Sequence, residues 1–154
     1  MTAKEKVTIL AYDEMSVEAT YKYDKCNEDV IGPHSEMQLV MARGLFAKWK
    51  QPIYIDFDVR MTKDLLEVLA TRMHQIGFIV VGMVHDCGGG NLCVCRDANI
   101  DHGKQQTSMK HPMTGENMYL FPDAPHLLKL LRNWLLDHGF LYKGKLLILF
   151  YVDF

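Results

Sequence analysis

The sequence predicts an α/β fold built on a sheet of mixed strand directions. Three observations predict it. Strand-like segments dominate the start of the chain, helical periodicity sets in beyond Thr62, and from there helices and strands alternate. The first strand is expected over residues 7–13. Val7, Ile9, Ala11 and Asp13 share one face and Leu10 and Tyr12 the other, so both faces are mostly apolar, as in a central strand that ends in a carboxylate. Residues 18–23 continue as a β-rich stretch, 24–29 are polar and suit a hairpin loop, and 37–45 and 52–58 read as further strands.

Across residues 62–77 the period changes. Leu65, Leu66, Leu69, Met73 and Ile76 recur at helical spacing, Thr62 is placed to cap the first turn, Asp64 suits the positive end of the helix, and Gly77 suits its stop. Residues 78–84 are a nearly continuous apolar run ending in His85 and Asp86. They are expected to form a buried strand, parallel to and beside residues 7–13, with the helix as the right-handed connection. Gly88, Gly89 and Gly90 break this strand ahead of a weakly helical segment; 99–115 read as loop and 118–121 as a short strand. Asp123 and Pro125 open a strong helix through His138, with Leu127, Leu131, Trp134 and Leu135 on one stripe and Gly139 as its stop.

Composition narrows the function classes. At 154 residues, 49% hydrophobic and 23% charged, the chain is expected to be one folded domain, not a disordered tail or a disulfide scaffold. No apolar run approaches the roughly 20 residues a membrane helix needs. The N-terminus MTAKEKVTIL lacks a secretory pattern, so an intracellular protein with no membrane partner is expected. Reduced thiols suit Cys26, Cys87, Cys93 and Cys95 in that setting. A zinc set of Cys87, Cys93 and Cys95 with His85 or His102 lacks the C-x₂-C knuckle. A net charge of −2 excludes a grip on nucleic acid through bulk charge, so any such contact needs a local patch. Arg43, Lys48, Trp49 and Lys50, interleaved with Phe46, offer one, against the alternative of a solvated strand edge with a buried tryptophan. Lys129 and Arg132 share the polar face of the last helix, as a contact or as a solvated flank.

The chemistry rests on two aspartates. Ligands of open α/β sheets bind beyond the carboxyl ends of the strands, where Asp13 and Asp86 are expected. On parallel neighbouring strands the two carboxylates converge, and paired carboxylates bind Mg²⁺ ions that drive in-line displacement at phosphorus. The bland alternative is a strand-end cap at Asp13 and an acceptor for the glycine-turn amides at Asp86. Without a cation, two converging carboxylates are expected to share a raised apparent pKa. The glycine run meets neither G-x-G-x-x-G nor a P-loop pattern, and Ser35 beside His34 lacks a nucleophile elbow.

Five segments then resemble one family in the right order: YDEMSV at 12–17, VIGPHSEMQLVMARGLFAKWKQP at 30–52, HDCGGGN at 85–91, HPMTGEN at 111–117 and DAPHLLKLLRN at 123–133. They resemble P-element-type DNA transposases, including those that carry a THAP zinc finger. The resemblance implies an RNase H-like mixed sheet flanked by helices and incomplete, over residues 1–139, with 140–154 as an atypical hydrophobic tail. It implies a fragment of a DDE-type transposase, in which metal-dependent cleavage and strand transfer of DNA belong to the intact protein. Asp13 and Asp86 match the first two catalytic carboxylates and would hold Mg²⁺ or Mn²⁺. The third, a glutamate on a later helix, has no counterpart here. The resemblance further implies transposon-end DNA and further copies of the intact protein as partners, a nuclear location, and GTP as a family cofactor whose binding residues fall on none of these segments. A domesticated, non-catalytic remnant acting as a DNA- or protein-interaction module is the alternative.

Overall fold

A computed structural model describes residues 1–147. In chain order it contains β1 (Val7–Ser16), β2 (Lys22–Asp24), β3 (Asp29–Ile31), β4 (Glu36–Gly44), β5 (Lys50–Phe57), α1 (Lys63–Gln75), β6 (Ile79–His85), α2 (Gly89–Asp97), β7 (Ser108–Lys110), β8 (Asn117–Pro122), α3 (Ala124–His138), β9 (Phe140–Tyr142) and β10 (Lys145–Leu147). Six strands form one mixed sheet in the order β5-β4-β1-β6-β8-β7, and β2–β3 and β9–β10 are separate two-stranded ribbons. Within the large sheet β1, β6 and β8 are parallel, and the outer pairings are antiparallel.

The expected neighbours are neighbours: β1 and β6 pair in parallel, and α1 carries the chain from the β5 edge back to β6. Thr62 caps α1, its side chain accepting from the Leu65 N–H at 3.2 Å. The chain then turns at Gly77, whose φ of 88° is left-handed backbone that glycine adopts without strain. Asp123 caps α3, and Gly139 follows its last turn.

Three expectations need correction. Asp13 does not end its strand, because β4 pairs with β1 as far as Ser16. Within 18–23 only Lys22 and Tyr23 are in strand, since among the described residues β2 pairs only with the short β3. The polar stretch 99–115 holds a strand, β7, which the Met109–Met118 pairing fastens to β8. Of the hydrophobic tail, residues 148–154 lie outside the described residues.

One face of the sheet is covered. Leu10, Tyr12, Val40, Ala42, Met83, Met118 and Leu120 from the strands meet Leu66, Leu69, Ala70 and Met73 of α1 and Val94 and Cys95 of α2 in a single core. Among the described residues the other face is open, with Ile79, Tyr119 and Phe121 each close to half exposed. No residue of α3 is buried.

The relation between β1 and β6 carries the detail that matters most. Thr8 pairs with Val80, but Ile9 pairs with Gly82, so Val81 is an extra residue, a bulge. Side chains alternate strictly along a strand, so one inserted residue exchanges the faces of everything after it. Beyond the bulge, Met83 and His85 join Leu10 and Tyr12 in the core, and Val84 and Asp86 emerge beside Ala11 and Asp13 on the open face. Gly82 fits this place because a Cβ there would stand 3.2 Å from the Tyr119 carbonyl oxygen.

Candidate active site

Tyr12, His85 and Pro122 lie in one register row across β1, β6 and β8. One residue further along each chain come Asp13, Asp86 and Asp123. All three line a cavity of about 260 Å³, together with Leu39, Met41 and His126.

Asp86 is firmly held. Its Oδ1 accepts from the Gly88 N–H at 2.9 Å and from the Asn91 side-chain amide at 2.6 Å, and no hydrogen bond engages Oδ2 among the described residues. Asp13 is exposed, with Oδ1 accepting from the Glu14 N–H at 2.9 Å, while its carbonyl takes the buried Gln38 amide at 3.0 Å. Asp123 is committed elsewhere: Oδ2 accepts from His126 Nδ1 at 2.7 Å and from the His126 backbone at 3.3 Å.

The expected raised pKa is not found at Asp86. Burial alone pushes this carboxyl up, but the Gly88 N–H, the Asn91 amide and the nearby His126 and His85 outweigh it, and the net shift is downward. A depressed folded pKa gives stability that is present above the unfolded value of about 4 and lost as pH falls through the folded one. Asn91→Leu removes one of the two donors. Its melting temperature should therefore fall less between pH 6 and pH 3 than that of the unaltered chain; parallel pH profiles would show that Asn91 does not hold the carboxylate. Asn91 is itself buried, with Oδ1 unpartnered, so the substitution also removes a desolvated acceptor.

Beneath Asp86, on the core side, His85 Nδ1 donates to the Asp86 carbonyl oxygen, which leaves Nε2 to accept from the Cys95 thiol at 3.3 Å. Burial pushes the Cys95 thiol up, in keeping with a donor S–H, and Tyr12 stacks on the imidazole at 5.6 Å. His85 and Cys95 thus brace the strand end. Cys93 is exposed and accepts from Arg96 at 2.9 Å while Cys95 is buried, so the zinc alternative is not assembled among the residues whose side chains are described. Among the described residues no group of three or more His, Cys, Asp or Glu side chains is disposed to hold one metal ion.

Arg43, Lys48, Trp49 and Lys50 gather in the β4–β5 turn, which joins the sheet at Val7 through the Leu45 N–H. Asp13 lies six residues further along β1, about 20 Å away at strand rise, so the two groups are not brought together. Trp49 donates to the Glu5 carbonyl at 3.0 Å and packs edge-on against Phe78. Gly44 permits this, since a Cβ there would meet the indole nitrogen at 2.5 Å. His34 and Ser35 both bond the Asp58 carboxylate, at 2.8 and 3.0 Å, and hold its pKa well below the usual carboxylate range; that arrangement clamps a loop and activates no hydroxyl.

Residues missed in the sequence are Asn91 and His126; Asp123, expected to open the last helix, is its cap and also borders the cavity. The lone glycine inside the apolar strand signalled the bulge, and the aspartate-to-histidine spacing at the start of α3 signalled their pairing.

This geometry, a mixed sheet whose parallel central strands carry aspartates at one end, is that of an RNase H-like domain, and residues 1–99 match the TNP-like, RNase H N-terminal domain model. The chain belongs to that transposase family. It is 38% identical over 142 residues to the Transposable element P transposase of Drosophila melanogaster, covering 92% of this chain and 19% of the relative. It is 27% identical over 106 residues to the human DNA transposase THAP9, covering 64% of this chain and 12% of the relative. The chain therefore spans less than a fifth of the length of either. A solved structure, the Drosophila P element transposase strand transfer complex, superposes with a TM-score of 0.89 at 37% identity, over 95% of this chain and 33% of that one. None of these matches supports guanine-nucleotide binding by this chain.

Proposed function

We propose that this chain supplies the first half of a divalent-metal site for DNA cleavage and strand transfer in an intact transposase. Asp13 and Asp86 are the residues that would hold the metal. One observation carries the reading: the bulge at Val81 brings both carboxylates out on the same face of adjacent parallel strands. The donor chemistry fits, since Mg²⁺ and Mn²⁺ take hard oxygen ligands and are commonly held by one or two carboxylates, with water and phosphate completing the shell. When bound, such an ion activates a water or a DNA 3′-hydroxyl and stabilises charge on the attacked phosphodiester.

The protein's own contribution is positional. Gly88 and Asn91 fix one oxygen of Asp86 and leave the other for the ion. Gln38 secures the backbone of β1 at Asp13. His85, locked between the Asp86 carbonyl and Cys95, keeps the strand end from fraying. DNA is the partner in the intact protein on this reading, and the nucleus its place of action.

A second reading, a DNA- or protein-interaction module without chemistry, is favoured because among the described residues no group of three or more His, Cys, Asp or Glu side chains is disposed to hold one metal ion. Melting temperature against Mn²⁺ concentration separates the two. Saturable stabilisation lost in Asp13→Asn and Asp86→Asn supports the metal site. No stabilisation, or an equal one in all three proteins, supports the module.

A further inference from the structure

We propose that Lys129 and Arg132 of α3, with His126 forming the wall between them and the carboxylates, grip the phosphate backbone of the DNA strand on which the Asp13–Asp86 pair acts. The proposal rests on the nucleic-acid reading above and adds to it the wall opposite the metal.

A second cavity, of about 220 Å³, adjoins the first. It is lined by Asp86, Cys87 and Gly88 on one side and by His126, Lys129 and Asn133 of α3 on the other. Asp86 and His126 border both cavities, so the two form one cleft. His126, Lys129 and Asn133 are three and four residues apart, the spacing that puts side chains in one row on a helix. Arg132 lies outside the cavity lining but flanks the row, its Nε and a terminal nitrogen donating to Asn133 Oδ1 at 3.2 and 2.9 Å. Lys129 is exposed and has no ion pair among the described residues.

Charge is therefore divided across the cleft, with carboxylates at the strand ends and cations along the helix. Asp123, which borders the same cavity, spends one carboxylate oxygen on His126 Nδ1 and on the helix cap, which anchors the imidazole beside the carboxylates. A phosphodiester is the ligand class that suits both walls: Asp13 and Asp86 would hold a divalent cation that draws one phosphate, and the neighbouring phosphates would reach Lys129 and Arg132. A carboxylate ligand offers no such repeat. The spread of the row, with Lys129 and Arg132 three residues apart on the helix, suits successive phosphates along a strand better than a single anion.

The test uses the full chain and a fluorescently labelled DNA duplex of about 20 base pairs, with anisotropy followed over a NaCl series in the absence of divalent metal. Each phosphate contact contributes about 0.9 to the slope of log K against log salt. Lys129→Gln and Arg132→Gln should each lower that slope by about this amount and weaken binding several-fold at low salt. Lys110→Gln, exposed and paired with Asn117 at the opposite end of β8 from Asp123, should leave the slope as it is. An unchanged slope in both α3 variants, an equal loss in Lys110→Gln, or no binding of the duplex by the unaltered chain would overturn the proposal. A merely structural role for α3 would move the melting temperature and not the slope. Failure of the metal reading shows separately, as a missing Mn²⁺ effect on melting while the slopes still change.

Discussion

Asp13→Asn and Asp86→Asn should each erase the rise in melting temperature that Mn²⁺ gives this chain. A ligand that binds only the folded state stabilises it by RT ln(1 + [L]/Kd), about 2.7 kcal/mol at 100-fold excess over Kd. For a domain of this length that is a shift of roughly 5–10 °C. The amide substitution suits the question because it is nearly isosteric. At Asp86 an asparagine oxygen still accepts from the Gly88 N–H, so the turn into α2 survives while the anionic ligand is lost. Only the chelating charge changes, and a shift that persisted unchanged in both variants would mean that the ion binds elsewhere on the surface.

Met83→Ala should cost about 2–5 kcal/mol, read by urea denaturation. Met83 is fully buried and stands in register between Leu10 of β1 and Leu120 of β8, both also fully buried, in the same core as Leu66 of α1. The row has no free side into which it can relax, so the cavity term adds to the lost transfer energy. Against a typical total of about 5–15 kcal/mol this is a large share. Phe121→Ala makes the useful contrast: on the open face and about half exposed already, it should cost much less. Similar losses at the two positions would place the core on the wrong face of the sheet. That would also misassign the face on which Asp13 and Asp86 meet, because a single bulge decides both.

Much of the fold was legible because its central elements obey simple periodicities. The two buried strands, the Thr62-capped helix and the Asp123-capped helix are visible as apolar alternation, 3.6-residue spacing and capping residues. What escaped was set by partners in space. β7 exists because Met109 finds Met118 across the sheet, and no local pattern in a polar loop announces that pairing. The strand at Asp13 continues to Ser16 because β4 is long enough to pair with it.

The site shows the same division. Asp13 and Asp86 stand out as acids following buried strands, whereas the depressed pKa of Asp86 depends on a backbone N–H two residues on and a buried amide five residues on, a geometry created only when α2 forms. Alternation counted straight through 78–84 would also have misassigned the face of Asp86. The bulge at Val81, hinted at only by Gly82, corrects it. The stripe Leu127, Leu131 and Trp134 was a sound reason to expect a helix and a poor guide to burial, since α3 leaves these side chains about half exposed.

Anomalous diffraction from crystals of the 154-residue chain soaked in MnCl₂ addresses the metal site most directly. A manganese peak within bonding distance, ~2.1 Å, of one carboxylate oxygen from each of Asp13 and Asp86 is the predicted result. A peak on other side chains, or Asp13 and Asp86 carboxylates separated by more than about 10 Å, would contradict it, since paired catalytic ions sit only ~3.5–4 Å from each other.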